Sequence, residues 1–344
     1  MSSDLSRHER RRDEPYRRCD LCRSCPIVNV LVTSVGSMSA EAVISALRAA
    51  GVDTVVGCDI HPRAWLATAS LVDAFVQVPL AADVGAYLKA IDTMCREHRV
   101  ELIMPLTDPE VDFYAAHWVE GAGGGAIPTI SKPQAVSLCR DKWLLHNALV
   151  NHPEIRVIPT RRVLESDLAV QDLPAIAKPR RGRSSEGVLR FTLDGGFERI
   201  ALGARCTDYI VQPLIKGDVY TVDVVRQAER GETAAVARRE LIRSSNGAGL
   251  TVEVGQNPRL ETLSRRLATD LDLRGCVNFE FIRHGNEYFL MDVNPRVSAG
   301  VGFTQIAGYE PVVNHVRCFL GAAIEFPPAI PTVILSKRYR EFRC

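Results

Sequence analysis

Asn278-Phe279-Glu280, followed by Leu290-Met291-Asp292-Val293-Asn294-Pro295-Arg296, is the stretch on which the reading of this chain turns. The two segments flank His284-Gly285-Asn286, a turn signal, and read as the strands Cys276–Arg283 and Tyr288–Val293 of a hairpin. In such a hairpin Glu280 falls opposite Asp292–Asn294. Residues 292 and 294 share a face because side chains alternate along a strand. Two carboxylates and an amide oxygen then converge, an oxygen-rich set suited to Mg²⁺ bridging phosphates. Arg296 follows, placed to meet a phosphoryl group. An ordinary half-buried hairpin explains the segment poorly, because Asn-Pro-Arg is an odd continuation for such a strand.

Further pieces stand upstream. The segment Ile176-Ala-Lys178-Pro-Arg180-Arg-Gly182-Arg-Ser184-Ser185-Glu-Gly187-Val188 delivers a lysine from a strand. A flexible loop rich in small residues and cations follows. Its backbone N–H groups could close over phosphate oxygens while Arg180, Arg181 and Arg183 neutralise charge; a basic surface turn explains it equally well. Tyr209–Asp218 contains an apolar strand entering Gln212-Pro213-Leu214-Ile215. That strand could offer backbone groups to an adenine edge, with Asp218 near ribose hydroxyls, although a buried strand and turn is an equal reading. Tyr220–Arg226 and Ala234–Leu241 read as a second hairpin. Arg239 and Arg243, with the loop Ser244–Gly249, either face the cleft and pair with a substrate carboxylate or form a solvated strand edge.

The front of the chain has a different pattern. Apolar strands (27–33, 54–58, 74–78, 101–105) alternate with helical stretches at 40–50 and 85–98, which argues for a parallel, doubly wound sheet ending near residue 128. A helix-rich piece with Asp141-Lys142 near its middle comes next. The loop after the first strand occupies the place of a dinucleotide fingerprint, with Asp59 ending the second strand. Only Gly36 of the three required glycines is present, which disfavours a nicotinamide oxidoreductase. Ser37 and Ser39 could still offer hydroxyls to an anion.

Residues 1–26 are charged, without apolar periodicity, and read as a disordered basic tail. They contain Cys19, Cys22 and Cys25, whose spacing could serve zinc or an iron–sulfur cluster but lacks a clear fourth ligand. The other seven of the ten cysteines are scattered singly and read as reduced thiols. Charge is balanced, 42 basic residues against 41 acidic, which argues against general nucleic-acid binding. With no apolar run of membrane-spanning length and no signal-like segment, the default is a cytoplasmic protein.

The order of these pieces resembles the ATP-grasp superfamily, from about Val28 to about Gly321. It looks closest to one half of the carbamoyl phosphate synthetase large chain and to related stand-alone amino-acid ligases. Val30–Gly36, Val55–Asp59, Leu106–Glu110, Asp141-Lys142, Lys178–Val188, Gln212–Asp223 and Asp292–Arg296 carry the likeness. It implies an α/β plus α+β architecture: an N-terminal Rossmann-like domain over 27–128, a helical linker and lid over 129–213, and a C-terminal antiparallel sheet with the metal site over 214–344. It also implies roles. Lys142, Lys178 and the loop residues Arg180, Gly182, Ser184, Ser185 and Gly187 would contact nucleotide phosphates. Gln212, Pro213, Leu214 and Ile215 would hold adenine, and Asp218 ribose. Glu280, Asp292 and Asn294 would coordinate Mg²⁺, or alternatively Mn²⁺. Lys178 and Arg296 would stabilise the transferring phosphoryl group. Two departures stand out: Ser184, preceded by Arg183, where a second glycine is frequent, and Asp292 where glutamate is common.

The activity implied is ATP-dependent ligation of a small carboxylate, such as an amino acid, to an amine through an acyl phosphate. A homodimer is the expected assembly, with neither nucleic-acid nor membrane partners. A kinase-like phosphotransferase of the same fold and a non-catalytic nucleotide-binding regulator are the rival readings.

Overall fold

The computed structural model describes residues 28–163, 174–182, 186–191 and 208–343. The basic tail with Cys19, Cys22 and Cys25, together with Arg183, Ser184 and Ser185, lies outside them.

The first lobe is a βα alternation: β1 (Asn29–Thr33), α1 (Ala40–Ala49), β2 (Thr54–Asp59), β3 (Ala74–Gln77), α2 (Val84–Glu97), β4 (Leu102–Met104), α3 (Asp108–His117) and β5 (Ile127–Pro128). Its strands form a parallel sheet in the order β3-β2-β1-β4-β5. Parallel strands covered on both faces are apolar throughout rather than alternating, and β1 follows this rule: Val30 and Val32 pack to one side, Leu31 to the other. The expected doubly wound sheet is present and ends at residue 128.

Beyond it the chain 129–213 does two things. Helices α4 (Pro133–Arg140) and α5 (Lys142–Leu149), with the short strand β6 (Arg156–Val157), pack onto the C-terminal sheet. Strands β7 (Arg161–Arg162), β8 (Ala175–Pro179), β9 (Leu189–Phe191) and β10 (Tyr209–Pro213) form a separate antiparallel sheet in the order β7-β10-β8-β9. Its small core holds Val163, Ala175, Ala177, Phe191 and Val211.

The rest builds the large sheet: β11 (Asp218–Gln227), β12 (Glu232–Arg243), β13 (Gly249–Val254), α6 (Pro258–Asp270), β14 (Gly275–His284), β15 (Glu287–Asn294), α7 (Val301–Ile306), α8 (Pro311–Phe319) and β16 (Val333–Ser336). The order is β16-β13-β12-β11-β14-β15-β6, antiparallel except where β6 joins β15. Alternation divides its faces. Tyr220, Val222, Ala235, Val277 and Phe279 bury against α4, α5 and α6. Val225, Ala234, Val236 and Cys276 share a core with α7, α8 and the α1 side of the first lobe. The first lobe and the large sheet are therefore one packed body, whereas the small sheet has its own core. Cys58, Cys95, Cys139, Cys276 and Cys318 are buried free thiols. Among the described residues no helix is long and apolar enough to cross a membrane.

Candidate active site

A cavity of about 530 Å³ opens where the three parts meet. The large sheet contributes Glu280, Asp292, Asn294 and Arg296, the small sheet Lys178, and the first lobe Ser37, Ser39 and Asp108.

The hairpin β14–β15 makes this possible by an irregularity. Glu280 pairs with Asp292 but Phe281 pairs with Leu290, so Met291 is the extra residue of a bulge. The bulge turns Asp292 and Asn294 to the cavity while Leu290 and Val293 stay in the core shared with α6. Asn294 Nδ2 lies 3.5 Å from Glu280 Oε1. Burial pushes the Glu280 carboxyl up, and Arg243 beside it opposes the shift. Each acid has a cation on it: Arg243 Nη2 is 2.9 Å from Glu280 Oε2, and Lys142 Nζ is 3.2 Å from Asp292 Oδ2. Two carboxylates and an amide with protein cations held against them suit a hard divalent ion, for which oxygen donors and negative charge are the requirement. Among the described residues no group of three His, Cys, Asp or Glu side chains converges in this way.

Lys178 rises from β8, half-buried in the cavity wall. Burial lowers its pKa to about 8, with Asp292 and Glu280 pulling the other way and Lys142 reinforcing the drop. Its Nζ lies 3.4 Å from the Met291 carbonyl. Lys142 stands at the first turn of α5, whose N-cap Asp141 accepts from the amides of Trp143 and Leu144.

Arg296 is held across the body. Its Nε and Nη2 donate to the two oxygens of Asp108 at 2.8 and 2.9 Å. Asp108 stands at the start of α3, 2% exposed, and also faces Arg140 at 3.3 Å. Burial alone would raise its carboxyl, but Arg296, Arg140 and Lys142 together hold it below the ordinary range. The Leu106–Glu110 stretch was legible as part of the pattern; the pairing of Asp108 with Arg296, 188 residues apart, has no local signal.

Several other candidate residues have protein partners instead of lining the cavity. Asp218 pairs with Arg283 at 2.6 Å and with Arg239 at 4.0 Å. Strand alternation puts it on the α6 face with Tyr220, and it does not line the cavity. Arg239 pairs with Glu253 on that same face. Arg243 would have followed it, but a register shift after Glu240 turns Arg243 to the cavity instead. Arg180 clasps Asp141 through Nη2 at 2.6 Å, and its carbonyl accepts from the Lys142 amide, so it ties the small sheet to α5 rather than lining the cavity. Gly182 lines the cavity; Gly187, at φ +69°, packs against Pro179 and Tyr209. Gln212 donates to Thr160 Oγ1 at 2.8 Å, and the Leu214 amide donates to Pro174. Gln212, Pro213 and Leu214 border a second recess, on the β6 side, and Ile215 follows beyond the end of β10. A small void lined by Lys142, Thr160, Gln212 and Met291 shares walls with both recesses.

The fingerprint position in the first lobe is closed. Asp59 accepts from the Gly36 amide at 2.8 Å and from His61, and a Cβ on Gly36 would lie 3.0 Å from Asp59 Oδ2.

The architecture has solved counterparts. Residues 205–340 match the family described as ATP-grasp in the biosynthetic pathway with Ter operon. The chain superposes on Campylobacter jejuni biotin carboxylase in its β,γ-ATP complex with a TM-score of 0.69 at 15% identity, covering 87% of this chain and 72% of that one. The chain has the ATP-grasp fold. An L-amino acid ligase from Bacillus licheniformis gives a TM-score of 0.64 at 15% identity, with coverage of 83% and 72%. Rhizobium etli pyruvate carboxylase gives a TM-score of 0.68 at 16% identity, covering 86% of this chain but 29% of the longer protein.

Proposed function

We propose that this chain is an ATP-dependent carboxylate–amine ligase that activates a small acid as an acyl phosphate and passes it to an amine, releasing ADP and phosphate. The observation that carries the reading is the convergence of Glu280, Asp292, Asn294, Lys142, Lys178 and Arg296 on one cavity between three parts of the fold. Two structural neighbours, an L-amino acid ligase and a biotin carboxylase in a β,γ-ATP complex, support it.

Glu280, Asp292 and Asn294 would hold Mg²⁺. When bound, the ion draws negative charge from the nucleotide phosphates. Lys142 and Lys178 neutralise phosphate oxygens. The remaining N–H groups of Arg296, oriented by Asp108, face the transferring phosphoryl group. The recess along Gln212–Ile215 takes the base, with the small void behind Met291 as its connection to the phosphate end. The carboxylate attacks the γ-phosphorus, ADP leaves, and an amine displaces phosphate from the acyl carbon. No enzyme nucleophile is needed, because positioning and charge neutralisation lower the barrier.

An ADP-release screen over acid and amine mixtures, with mass detection of products, tests this. The ligase reading expects ADP only when both an acid and an amine are present, together with an amide product. ADP with the acid alone and a stable phosphorylated acid would instead establish a kinase, and no ADP with any mixture would overturn catalysis altogether.

A further inference from the structure

A recess of about 450 Å³ lies where the first lobe meets the turn between β11 and β12 and the segment before β14. Among the described residues none lines both it and the catalytic cavity. Its walls are of two kinds. Tyr114, Trp118, Pro128, Ile130 and Pro133 offer apolar surface, whereas Lys132, Arg274, Glu229 and Asp272 offer charge. The apolar wall is held in place: Trp118 closes α3, its ring edge-on to Tyr114 with centroids 5.5 Å apart.

The charges are unequal. Lys132 Nζ lies 2.6 Å from Asp272 Oδ2, and Arg226 Nη1, outside the lining, lies 3.3 Å from Asp272 Oδ1. Arg274 Nη2 lies 2.9 Å from Glu229 Oε1. Three cations therefore share two carboxylates. Which of them can turn to a ligand follows from how each is held. The Arg226 side chain is 11% exposed and donates to the Leu273 carbonyl at 2.6 Å, so Asp272 keeps a partner when Lys132, 72% exposed, leaves it. Arg274 is anchored, with Nη2 donating to the Cys318 carbonyl at 2.7 Å and the guanidinium 4.7 Å over the Phe319 ring. Its acid partner is not anchored in this way: the Glu229 side chain is 57% exposed, and ion pairs of that kind are weak. Arg274 Nε is buried without a partner. An anchored guanidinium with an unfilled donor, beside a lysine that can be released, suits a carboxylate.

We propose that this recess is a second ligand site, for a small organic acid with an apolar body, an aromatic or branched-chain carboxylate. The carboxylate pairs with Arg274 and Lys132 and displaces Glu229 to water. The apolar body lies against Trp118, Pro128 and Pro133. The volume falls within the range of small-molecule sites, about 300–1,000 Å³. Helix α3 joins this site to the catalytic one, since it starts at Asp108, the partner of Arg296, and ends at Trp118. An occupant bridges the end of α3 to the large sheet and so stabilises the junction on which that clamp depends.

The test is calorimetric titration of the full chain with benzoate, 3-phenylpropionate, indole-3-acetate and 4-methylpentanoate, each beside its primary amide, and with acetate. At least one of the four acids should bind, with its amide and acetate about tenfold or more weaker. Lys132→Ala and Arg274→Gln should each weaken the preferred acid about tenfold. Ala228→Phe, which fills the recess without altering a charge, should abolish binding, and Lys178→Ala in the catalytic cavity should leave it unchanged. If Arg274→Gln does not fold, Lys132→Ala, at an exposed residue, carries the same expectation. Binding is read without turnover, so its outcome is independent of the ligase reading. No acid bound, an amide bound as tightly as its acid, or full affinity in Lys132→Ala or Ala228→Phe would each overturn the site. Loss of binding in Lys178→Ala would place the acid in the catalytic cavity and overturn it as well.

Discussion

Asp108 and Asp112 give a sharp test of the interdomain clamp, because both carboxylates touch Arg140 but only one is buried. Asp108 is 2% exposed, holds Arg296 bidentately and faces Arg140. Asp112 is 48% exposed at its side chain, and Arg140 donates to it from Nε at 3.0 Å. Asp108→Ala leaves Arg296 facing an empty, half-enclosed site with no other carboxylate among its described contacts. Removing one partner of a buried pair costs about 3–5 kcal/mol, whereas an exposed pair is worth about 0–1 kcal/mol. Arg140 keeps Asp112 and Arg296 is partly solvated, so the lower end, about 3 kcal/mol, is expected for Asp108→Ala. Less than about 1 kcal/mol is expected for Asp112→Ala. Urea unfolding followed by circular dichroism and by tryptophan emission reads both. Equal midpoints for the two variants would refute the clamp.

The same pair makes a pH statement. The Asp108 carboxyl is held below its ordinary value, so its stabilisation is complete above about pH 4, the unfolded carboxylate pKa, and is lost as pH falls through the folded value. Asp108→Asn should flatten that acid limb while leaving the neutral region parallel to wild type. An unchanged acid limb would mean that another carboxylate carries it.

Other expectations follow from the same geometry. Replacing Glu280 or Asp292 with Ala should cut Mg²⁺-dependent ADP release by about 100-fold or more with the fold intact by circular dichroism; full activity in a folded double variant would remove the metal assignment. Deleting residues 1–26 should leave ATP turnover nearly unchanged, and stoichiometric zinc or iron that disappears on truncation would instead give Cys19, Cys22 and Cys25 a structural role. His315, buried with Nδ1 accepting from the Cys276 amide, has its pKa lowered to about 3 by burial and by Arg274. The unfolded chain takes up a proton below about pH 6.5 that the folded one refuses, so stability should fall by up to about 1.4 kcal/mol per pH unit between about 6.5 and 3. His315→Asn should reduce that slope in pH-dependent urea titrations, and an identical slope would exclude the residue. Amides of β8 and β10 should exchange more slowly with Mg²⁺ and an ATP analogue bound; equal exchange with nucleotide demonstrably bound would mean that the small sheet is not a lid.

The fold was legible because its signals are local. The β1 run Asn29–Thr33, the turn at Gly285 and the apolar runs of β11 and β12 each announce their state within a few residues. The sheet carrying Glu280, Asp292 and Asn294 was legible for the same reason, since a hairpin register is a short-range property. What failed was facing. Arg239 and Arg243 stand an even number of residues apart and should share a face, but the bulge after Glu240 separates them, and nothing in Leu241-Ile242 announces it. Asp108 and Arg274 were not singled out because their partners are distant in sequence. An aspartate followed by proline at the start of a helix reads as a cap before it reads as the anchor of an arginine far down the chain.

The cavity's charges are arranged in pairs that a ligand can exchange. Arg243 sits on Glu280, Lys142 on Asp292 and Arg296 on Asp108, so the charges of these three pairs cancel. The first two pairs are partly exposed, at 27% and 23% for Arg243 and Glu280 and at 10% and 26% for Lys142 and Asp292. Pairs of that kind are weakly coupled and easily remade. The third is built on a carboxylate 2% exposed and resists exchange. On the ligase reading this difference sorts the cations by role. Glu280 and Asp292 would hold a divalent ion, which would leave Arg243 and Lys142 to meet phosphate oxygens. Arg296 keeps its partner and therefore its orientation throughout, as a group aimed at the transferring phosphoryl must, since stabilisation of developing charge depends on donors already in place.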